Sequence, residues 1–435
     1  MKVPVYAVGG YADGYTNPIF RMMQNLKCPR KALVGPWAHK YPHFASPAPR
    51  IGFLQECLRW WDQHLKGVDT GIMDEPMIRA WVREPAPPNP TSIESRGRWV
   101  SAPDWPSPVT KEEQLHVSPT GLSATPSQTP IEIDCPETAG AASQLWCMYG
   151  AVPDGPLDQA LEEGRMATFD TPPLAEDMEI LGFPMLHAQV ASDVPQANLA
   201  AVLSLVAPDG EATLISFGTL NLTHRDSHET PQALPIGQPV DATVQLNVVG
   251  QRIPAGYKLR LALSQAYWPL IFPSQHKAKL TLSDAKLVLP LHDPAQDGPA
   301  LAAFGPPEGA RPLETRQITA GTGHRKLTLN FDTGIETHSR HGDTGKTTHL
   351  HTGMTVRYDN EDRFEIHPRD PNSAVAHCSW VKEYSRDGWE ARVESFVNME
   401  ALSDIWRVTA QLKAFDAAGE VMTRDWQEDI PRDHV

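Results

Sequence analysis

The sequence predicts a short α/β unit at the N terminus, followed by mainly antiparallel β structure up to the C terminus. Two apolar runs separated by a helical pattern lie in the first 74 residues. After residue 75 short strand patterns alternate with turn signals, and 41 prolines with 30 glycines indicate many turns. We therefore predict three parts, 1–74, 75–310 and 311–435, the last being either a separate domain or an extension of the second.

The N-terminal part reads as strand, helix, strand, helix. Residues 3–8 and 32–34 are continuous apolar runs rich in β-branched residues, as in buried parallel strands. Between them Asn17 is a candidate helix cap and Pro18 suits the first turn. The apolar positions of this helix recur at helical spacing, at Ile19, Met22, Met23 and Leu26.

A second helix is predicted from Ile51 to Lys66, with Gly67 as its natural C-terminal cap. One of its faces is apolar and is formed by Leu54, Cys57, Leu58, Trp61 and Leu65. We expect Trp60 and Trp61 to pack this helix onto the sheet and the next domain, a ligand surface being the alternative.

Asp13 and His39 are the candidate catalytic residues, because each follows a predicted parallel strand at its carboxyl end. In α/β-hydrolases the catalytic residues follow the chain order serine, acid, histidine. The imidazole takes the proton of the serine hydroxyl, and the carboxylate holds the imidazole in its correct tautomer. The alternative is a turn aspartate and an unrelated loop histidine.

The segments Gly-Gly-Tyr-Ala-Asp-Gly-Tyr at 9–15 and Gly-Pro-Trp-Ala-His at 35–39 resemble the CocE/NonD family of serine hydrolases. This family includes cocaine esterase and is related to the Xaa-Pro dipeptidyl-peptidases. The resemblance continues at 53–62, 221–228, 261–269 and 430–433. It implies that Asp13 is the triad acid and His39 the triad base, and that the intact enzyme hydrolyses an ester, amide or Xaa-Pro dipeptidyl bond through an acyl-enzyme.

The nucleophile of that family lies on a turn far upstream of the aspartate strand. This sequence contains no Gly-x-Ser-x-Gly segment, and its first predicted strand begins a few residues after Met1. We therefore expect the chain to be the C-terminal portion of a larger hydrolase. The serine and the oxyanion-hole donors would then come from a missing N-terminal half, which we count as a possible partner.

The region after residue 75 is predicted to be a sandwich of short strands. Residues 77–82 read as a strand that leaves the hydrolase part, and further strands are predicted at 115–117, 180, 185–191, 199–206, 213–222, 244–249 and 259–264. The resemblance makes this sandwich a jelly roll of the galactose-binding-like type. From residue 314 we predict an antiparallel meander, with strands at 327–331, 355–358, 389–398, 406–415 and near Val421.

Composition excludes several classes of partner. The formal net charge of -15 argues against nucleic acid, which needs a basic face. No run of about 18 apolar residues is present, so we predict no membrane span and a cytoplasmic location. Five cysteines without CxxC spacing read as inert buried thiols, although a Cys135–Cys147 bridge stays open for an exported protein. We predict no cofactor and no metal.

Three other groups of residues are candidate sites. His338, His341, His349 and His351 could ligate a metal, but a solvated hairpin is the simpler interpretation. The segment from His224 to His228 is dense in charge, and buried ion pairs at strand ends are its expected role. Trp37 lies on the His39 loop and either lines the substrate pocket or anchors the loop.

Two hypotheses about function follow. The chain is either the portion of a serine hydrolase that bears Asp13 and His39, acting on a small-molecule ester, amide or peptide, or a noncatalytic β-sandwich binding or scaffolding module with a vestigial hydrolase piece. An in-frame Gly-x-Ser motif in the DNA upstream would favour the first hypothesis.

Overall fold

A computed structural model describes residues 1–150, 153–297 and 302–434. Its N-terminal part consists of strand β1 (Val5–Gly10), helix α1 (Thr16–Asn25), strand β2 (Arg30–Gly35) and helix α2 (Phe53–Leu65). The two strands are parallel, and their register runs from Val5 opposite Arg30 to Gly10 opposite Gly35. The predicted order of strand, helix, strand and helix is therefore confirmed.

The start of α1 differs from the prediction that Asn17 caps it. The residue that precedes the helix is Tyr15, and its side chain makes no capping hydrogen bond. Asn17 lies inside the first turn, where its amide nitrogen donates to the side-chain oxygen of Asn247 and its oxygen accepts from the backbone nitrogen of Val248. The side chain thus ties the helix to a distant segment, a contact that local sequence cannot reveal.

Helix α2 presents its apolar face to solvent, contrary to the expected packing. Leu58, Trp61 and Leu65 are 57%, 52% and 74% exposed, whereas Trp60 is 3% exposed and packs on Tyr6 of β1 with ring centroids 5.2 Å apart. The polar side of the helix faces the protein through Glu56, which accepts from Arg59. The expected packing is correct for Trp60 and wrong for Trp61.

Beyond α2 most of the regular structure is strand. The strands follow in chain order as β3 (Ile78–Arg83), β4 (Gly97–Ala102), β5 (Lys111–Ser118), β6 (Gly121–Ser123), β7 (Ile131–Ile133), β8 (Ala167–Asp170), β9 (Met178–Gly182), β10 (Met185–Ser192), β11 (Asn198–Val206), β12 (Ala212–Asn221), β13 (Val240–Gln245), β14 (Val249–Ile253), β15 (Lys258–Ser264), β16 (Leu280–Leu291), β17 (Thr315–Gln317), β18 (Thr322–Leu329), β19 (Glu336–Asp343), β20 (Thr347–His349), β21 (Met354–His367), β22 (Asp370–Arg386), β23 (Trp389–Ala401), β24 (Ile405–Asp416) and β25 (Gly419–Pro431). Short 3-10 turns occur at Ile72–Asp74, Gln159–Glu162, Leu222–His224 and Pro294–Gln296.

The N-terminal strands continue into the β-rich region as one sheet. Twelve strands of the described chain belong to it, and its main path runs β1-β2-β3-β14-β9-β16-β10-β13. Strand β3 pairs in parallel with β2, with Ala32 opposite Ile78, so it extends the parallel part of the sheet instead of leaving it. Strand β1 ends this path, so one of its edges has no partner strand among the described residues.

A second sheet packs against the first and encloses the largest core. In the described ranges it has four antiparallel strands in the order β12-β11-β15-β8. Strand β11 is buried along its whole length. Its Leu199 and Leu203 join Ile180 and Leu186 of the large sheet in one hydrophobic cluster, so the two sheets form a sandwich.

The C-terminal region is an antiparallel sheet of nine strands within the described residues, which confirms the predicted meander. It meets the sandwich through a small apolar cluster, where Trp268 packs with Ile366 and Trp406. Neither α1 nor α2 is long and apolar enough to cross a membrane, and the same holds for every other helix among the described residues.

A buried carboxyl lies at the junction between the sandwich and the C-terminal sheet. Glu137 is 2% exposed, and its backbone nitrogen donates to the Pro368 carbonyl at 2.9 Å. Burial raises the pKa of this carboxyl from 4.5 to about 7, although the nearby Gln265 amide and Lys277 oppose the shift. The folded state therefore holds a proton on Glu137 that the unfolded state releases at lower pH.

We predict that Glu137→Gln removes a pH-dependent loss of stability. Because the pKa is raised on folding, the neutral carboxyl is fully compatible with the fold below pH 4.5, and stability falls as the pH rises toward about 7. In urea unfolding at about pH 8 the variant should be more stable than the wild type by on the order of 2–3 kcal/mol, with little difference at about pH 4.5. The exposed Glu112→Gln is the control, and equal pH dependence in both variants would contradict the prediction.

Candidate active site

Asp13 follows β1 in a tight loop that its own hydrogen bonds hold. Its backbone nitrogen donates to the Gly10 carbonyl at 3.1 Å, and its Oδ1 accepts from the backbone nitrogen of Tyr15 at 3.0 Å. Thr16, the first residue of α1, donates its hydroxyl to the Asp13 carbonyl. These contacts leave Oδ2 free to point toward the neighbouring loop.

His39 follows β2 in a loop that runs beside the Asp13 loop. The backbone nitrogens of Tyr11 and Ala12 donate to the carbonyls of Gly35 and Trp37, so the two loops are paired through their backbones. A Cβ atom on Gly10 would collide with the Trp37 carbonyl oxygen. This close approach therefore requires glycine at position 10.

The two candidate catalytic side chains meet. Asp13 Oδ2 lies 3.0 Å from His39 Nδ1, and since an ionised carboxylate can only accept, Nδ1 carries the proton of this bond. The Asp13 side chain is 11% exposed and that of His39 is 41% exposed. The expected contact is confirmed. With its proton on Nδ1, a neutral imidazole has its lone pair on Nε2, which is directed away from Asp13.

Trp37 does not line the cavity beside His39. Its side chain is fully buried, its Nε1 donates to the Pro49 carbonyl at 2.7 Å, and its ring lies 5.9 Å from that of Trp99. Of the two roles predicted for Trp37, the structure therefore favours the loop anchor over the substrate pocket. The ring folds back over Gly35, which has no side chain to oppose it.

Residues from a distant loop complete the surroundings of His39. The His39 backbone nitrogen donates to the Met148 carbonyl at 2.7 Å, which brings Cys147 Sγ to 3.9 Å from Asp13 Oδ1. Burial raises the pKa of the Cys147 thiol, and the Asp13 carboxylate adds to this shift. The Tyr149 ring packs edge-on against the imidazole at 5.2 Å, and Tyr15 lies at 5.5 Å.

A cavity of about 620 Å³ opens beside Asp13 and His39. Its walls come from β1, from α2 and from the loop that follows His39. Six of the fourteen lining residues are Tyr, Phe or Trp, among them Tyr6, Tyr41, Phe44, Trp60 and Trp61. A mostly apolar cavity with a few polar groups at one end suits a ligand that exposes an apolar group to a catalytic pair.

Sequence reasoning found Asp13 and His39 but missed most of this wall. Tyr15 belongs to the same short motif as Asp13, so its proximity could have been inferred. Cys147 and Tyr149 lie more than 100 residues away in a region without regular periodicity, and no local signal places them here.

The other groups weighed as sites have structural contacts. His338 pairs with the buried Glu336, and His341 Nε2 lies 2.9 Å from Asp359 Oδ1, while the rings of His349 and His351 are 6.5 Å apart. None of these histidines belongs to a group of three metal-ligating side chains in the described residues.

The charged segment at 224–228 and the cysteines also differ from expectation. Arg225 pairs with Asp226, which is 73% exposed, so this ion pair is local and not buried between strand ends. Cys135 and Cys147 are both free thiols, and Cys57, Cys147 and Cys378 are only partly buried. A Cys135–Cys147 bridge is therefore absent among the described residues, and not all thiols are buried.

Comparison with known proteins relates most of the chain to hydrolases. The family profile described as the X-Pro dipeptidyl-peptidase C-terminal non-catalytic domain matches residues 70–328. A Mycobacterium bovis protein named as serine esterase Mb1866c is 24% identical over 300 residues, 65% of this chain and 45% of that protein. A Bacillus cereus protein named as an Xaa-Pro dipeptidyl-peptidase is 21% identical over 259 residues, 59% of this chain and 40% of that protein. The chain spans less than half the length of these relatives.

Two solved structures share the fold. An aminopeptidase from a marine-sediment Thaumarchaeota archaeon matches with a TM-score of 0.54 and 16% identity, over 67% of this chain and 55% of that one. A CocE/NonD family hydrolase from Staphylococcus aureus matches with a TM-score of 0.51 and 13% identity over the same 67% and 55%. At these identities the likeness establishes the fold alone.

We predict that Gly10→Ala weakens the pairing of the Asp13 and His39 loops. The new methyl group has to displace the Trp37 carbonyl, and such overpacking costs about 1–3 kcal/mol. Gly164→Ala is the matched control, because nothing lies within 4 Å of its added Cβ and its φ is not positive. Equal free energies of unfolding for the two variants would show that the loops do not depend on this contact.

We also predict that Asp13→Asn changes the tautomer of His39. The carboxylate holds the proton on Nδ1, whereas an amide offers both a donor and an acceptor. Nitrogen-15 NMR at alkaline pH should show mainly the Nδ1–H form in the wild type and mainly the Nε2–H form in the variant.

His341, whose Nε2 faces Asp359, is an internal reference for this measurement. It should stay in the Nε2–H form in both proteins. An unchanged His39 tautomer would contradict the assigned role of Asp13.

Proposed function

The chain belongs to the CocE/NonD-like hydrolase family, whose X-Pro dipeptidyl-peptidase C-terminal domain it carries, and we propose that Asp13 and His39 are the acid and base of its serine-hydrolase triad. The observation that supports this proposal is the 3.0 Å contact between Asp13 Oδ2 and His39 Nδ1 beside an aromatic cavity. Both residues follow adjacent parallel strands at their carboxyl ends, where α/β folds place working side chains.

In the proposed chemistry a serine, His39 and Asp13 have different roles. A serine hydroxyl attacks the substrate carbonyl while His39 Nε2 accepts its proton, and the imidazolium later protonates the leaving group. Asp13 keeps the proton on Nδ1 before the reaction and stabilises the imidazolium once it forms. Water then hydrolyses the acyl-enzyme with His39 as the base.

The serine and the oxyanion-hole donors are proposed to come from a segment outside this sequence. The sequence has no Gly-x-Ser-x-Gly motif, and the chain covers 45% of the esterase relative. Two surfaces suit such a segment. Strand β1 has an open edge, and α2 exposes a stripe of apolar side chains next to the cavity, at Leu54, Leu58, Trp61 and Leu65.

Within the β-rich part, we propose the jelly roll of the galactose-binding-like type. The two sheets packed around one core support it. Strands β1–β3 belong to the same sheet as one layer of the sandwich, so the two parts are structurally continuous. The boundaries 1–74, 75–310 and 311–435 remain our proposed division. The C-terminal meander lies almost entirely beyond the matched family region.

The proposed substrate is an ester, an amide or an Xaa-Pro dipeptidyl peptide. The names of the relatives include a serine esterase and an Xaa-Pro dipeptidyl-peptidase, which share acyl transfer from a carbonyl carbon. The aromatic wall of the cavity suits an apolar group on the acyl or leaving side.

A second candidate is a noncatalytic binding or scaffolding module. The description of the matched domain as non-catalytic favours it for residues 70–328. Asp13 and His39 lie outside that range, and their hydrogen bond favours the hydrolase for the N-terminal part.

We predict that activity requires joining this chain to the reading frame upstream of it. The chain alone should neither hydrolyse p-nitrophenyl esters nor react with a fluorophosphonate probe, whereas the joined protein should do both. In the joined protein, His39→Ala or Asp13→Asn should lower kcat by about 10³–10⁴-fold.

His341→Ala is the matched control, because it removes the histidine of another aspartate–histidine pair. It should leave kcat unchanged. Labelling of a serine in the chain alone, or full activity of the His39→Ala variant, would refute the proposal.

A further inference from the structure

A third side chain joins Asp13 and His39 in a compact group. Cys147 Sγ lies 3.9 Å from Asp13 Oδ1, and His39 Nδ1 lies 3.0 Å from Asp13 Oδ2. One ligand atom from each residue lies within 4.8 Å of the others, and this is the one such group of three in the described ranges. The proposed triad chemistry does not involve the Cys147 thiol, so the position of this thiol beside Asp13 needs a separate explanation.

Thiolate, imidazole and carboxylate together form a donor set that suits Zn²⁺. Zinc bonds are about 2.3 Å to sulfur and about 2.0–2.2 Å to nitrogen and oxygen, so tetrahedral ligand atoms lie about 3.3–3.7 Å apart. The 3.0 Å separation joins His39 Nδ1 to Asp13 Oδ2 and the 3.9 Å separation joins Cys147 Sγ to Asp13 Oδ1, while one ligand atom of each residue lies within 4.8 Å of the other two. Contraction of these separations by no more than about 1.5 Å would bring the three ligand atoms to the tetrahedral spacing.

The three side chains are carried by backbone segments that are already fixed relative to one another. The His39 backbone nitrogen donates to the Met148 carbonyl at 2.7 Å, which positions the Cys147 loop. A Cβ on Gly14 would lie 3.0 Å from the Trp146 carbonyl oxygen, so this loop also packs closely against the Asp13 loop. Little ordering of the chain is therefore needed on binding.

We propose that Asp13, His39 and Cys147 form a binding site for one thiophilic divalent cation such as Zn²⁺. Binding releases the thiol proton of Cys147 to solvent. The neutral imidazole keeps its single proton, which moves from Nδ1 to Nε2 through solvent as Nδ1 becomes a metal ligand. The three protein donors leave a fourth position of the ion for water.

Such an ion would inactivate the proposed triad. This consequence rests on the proposed function, whereas the proposal that the ion binds does not. With its proton on Nε2, His39 cannot accept the proton of a serine hydroxyl. The same imidazole nitrogen is used by Asp13 in one state and by the cation in the other. Metal binding and acyl transfer are therefore mutually exclusive.

The test measures metal binding on the tag-free chain without any substrate. Zn²⁺ is titrated against a chromophoric chelator, and Co²⁺ serves as a spectroscopic probe because a thiolate ligand produces an intense near-ultraviolet charge-transfer band. We expect one ion per chain and this band in the wild type. Cys147→Ser should abolish the band and weaken Zn²⁺ binding by at least about 10-fold, as should His39→Ala for Zn²⁺.

Cys57→Ser is the matched control, because Cys57 lines the same cavity outside the group of three. It should retain both the band and the affinity, and thermal unfolding verifies that each variant is folded. Unchanged binding in Cys147→Ser, or no saturable binding of micromolar Zn²⁺ by the wild type, would overturn the proposal. Either result leaves the proposed function untouched, because no activity enters the measurement.

Discussion

The hydrogen bond between Asp13 and His39 depends on two parallel strands that end side by side. Strands β1 and β2 run in register to Gly10 and Gly35, so their following loops leave the sheet together. Because Gly10 has no side chain, the Trp37 carbonyl of the second loop can lie close to it. The buried Trp37 ring anchors that loop through its hydrogen bond to the Pro49 carbonyl. The contact between Asp13 and His39 is thus positioned by backbone pairing within this chain.

The surface around this pair exposes apolar side chains and a strand edge, which suit the proposed interface. Helix α2 turns Glu56 and Trp60 toward the protein and leaves Leu58 and Leu65 in water. Apolar surface of this kind is costly in water, and the open edge of β1 offers unpaired backbone groups beside it. A segment that pairs with β1 and covers α2 would satisfy both features and would close the cavity next to His39.

Sequence reasoning predicted the N-terminal unit and the contact between Asp13 and His39, because periodicity and strand order are local signals. It could not tell whether the apolar face of α2 is covered, since amphipathicity does not identify the partner. It missed β16, which carries Pro290 and a bulge at Asp284 with a φ of 47°. It also missed β22, whose buried positions are Pro371, Ala374 and Ala376, and Cys147, which only tertiary folding brings to Asp13.

The most direct test of the central claim is a crystal structure of the joined protein with its reactive serine labelled by a fluorophosphonate. We expect the adduct to lie in the cavity between β1 and α2, with the serine Oγ within about 2.6–3.2 Å of His39 Nε2 and Asp13 still bonded to Nδ1. An adduct on a serine remote from His39, or beside a different histidine, would contradict the assignment of Asp13 and His39 as the acid and base.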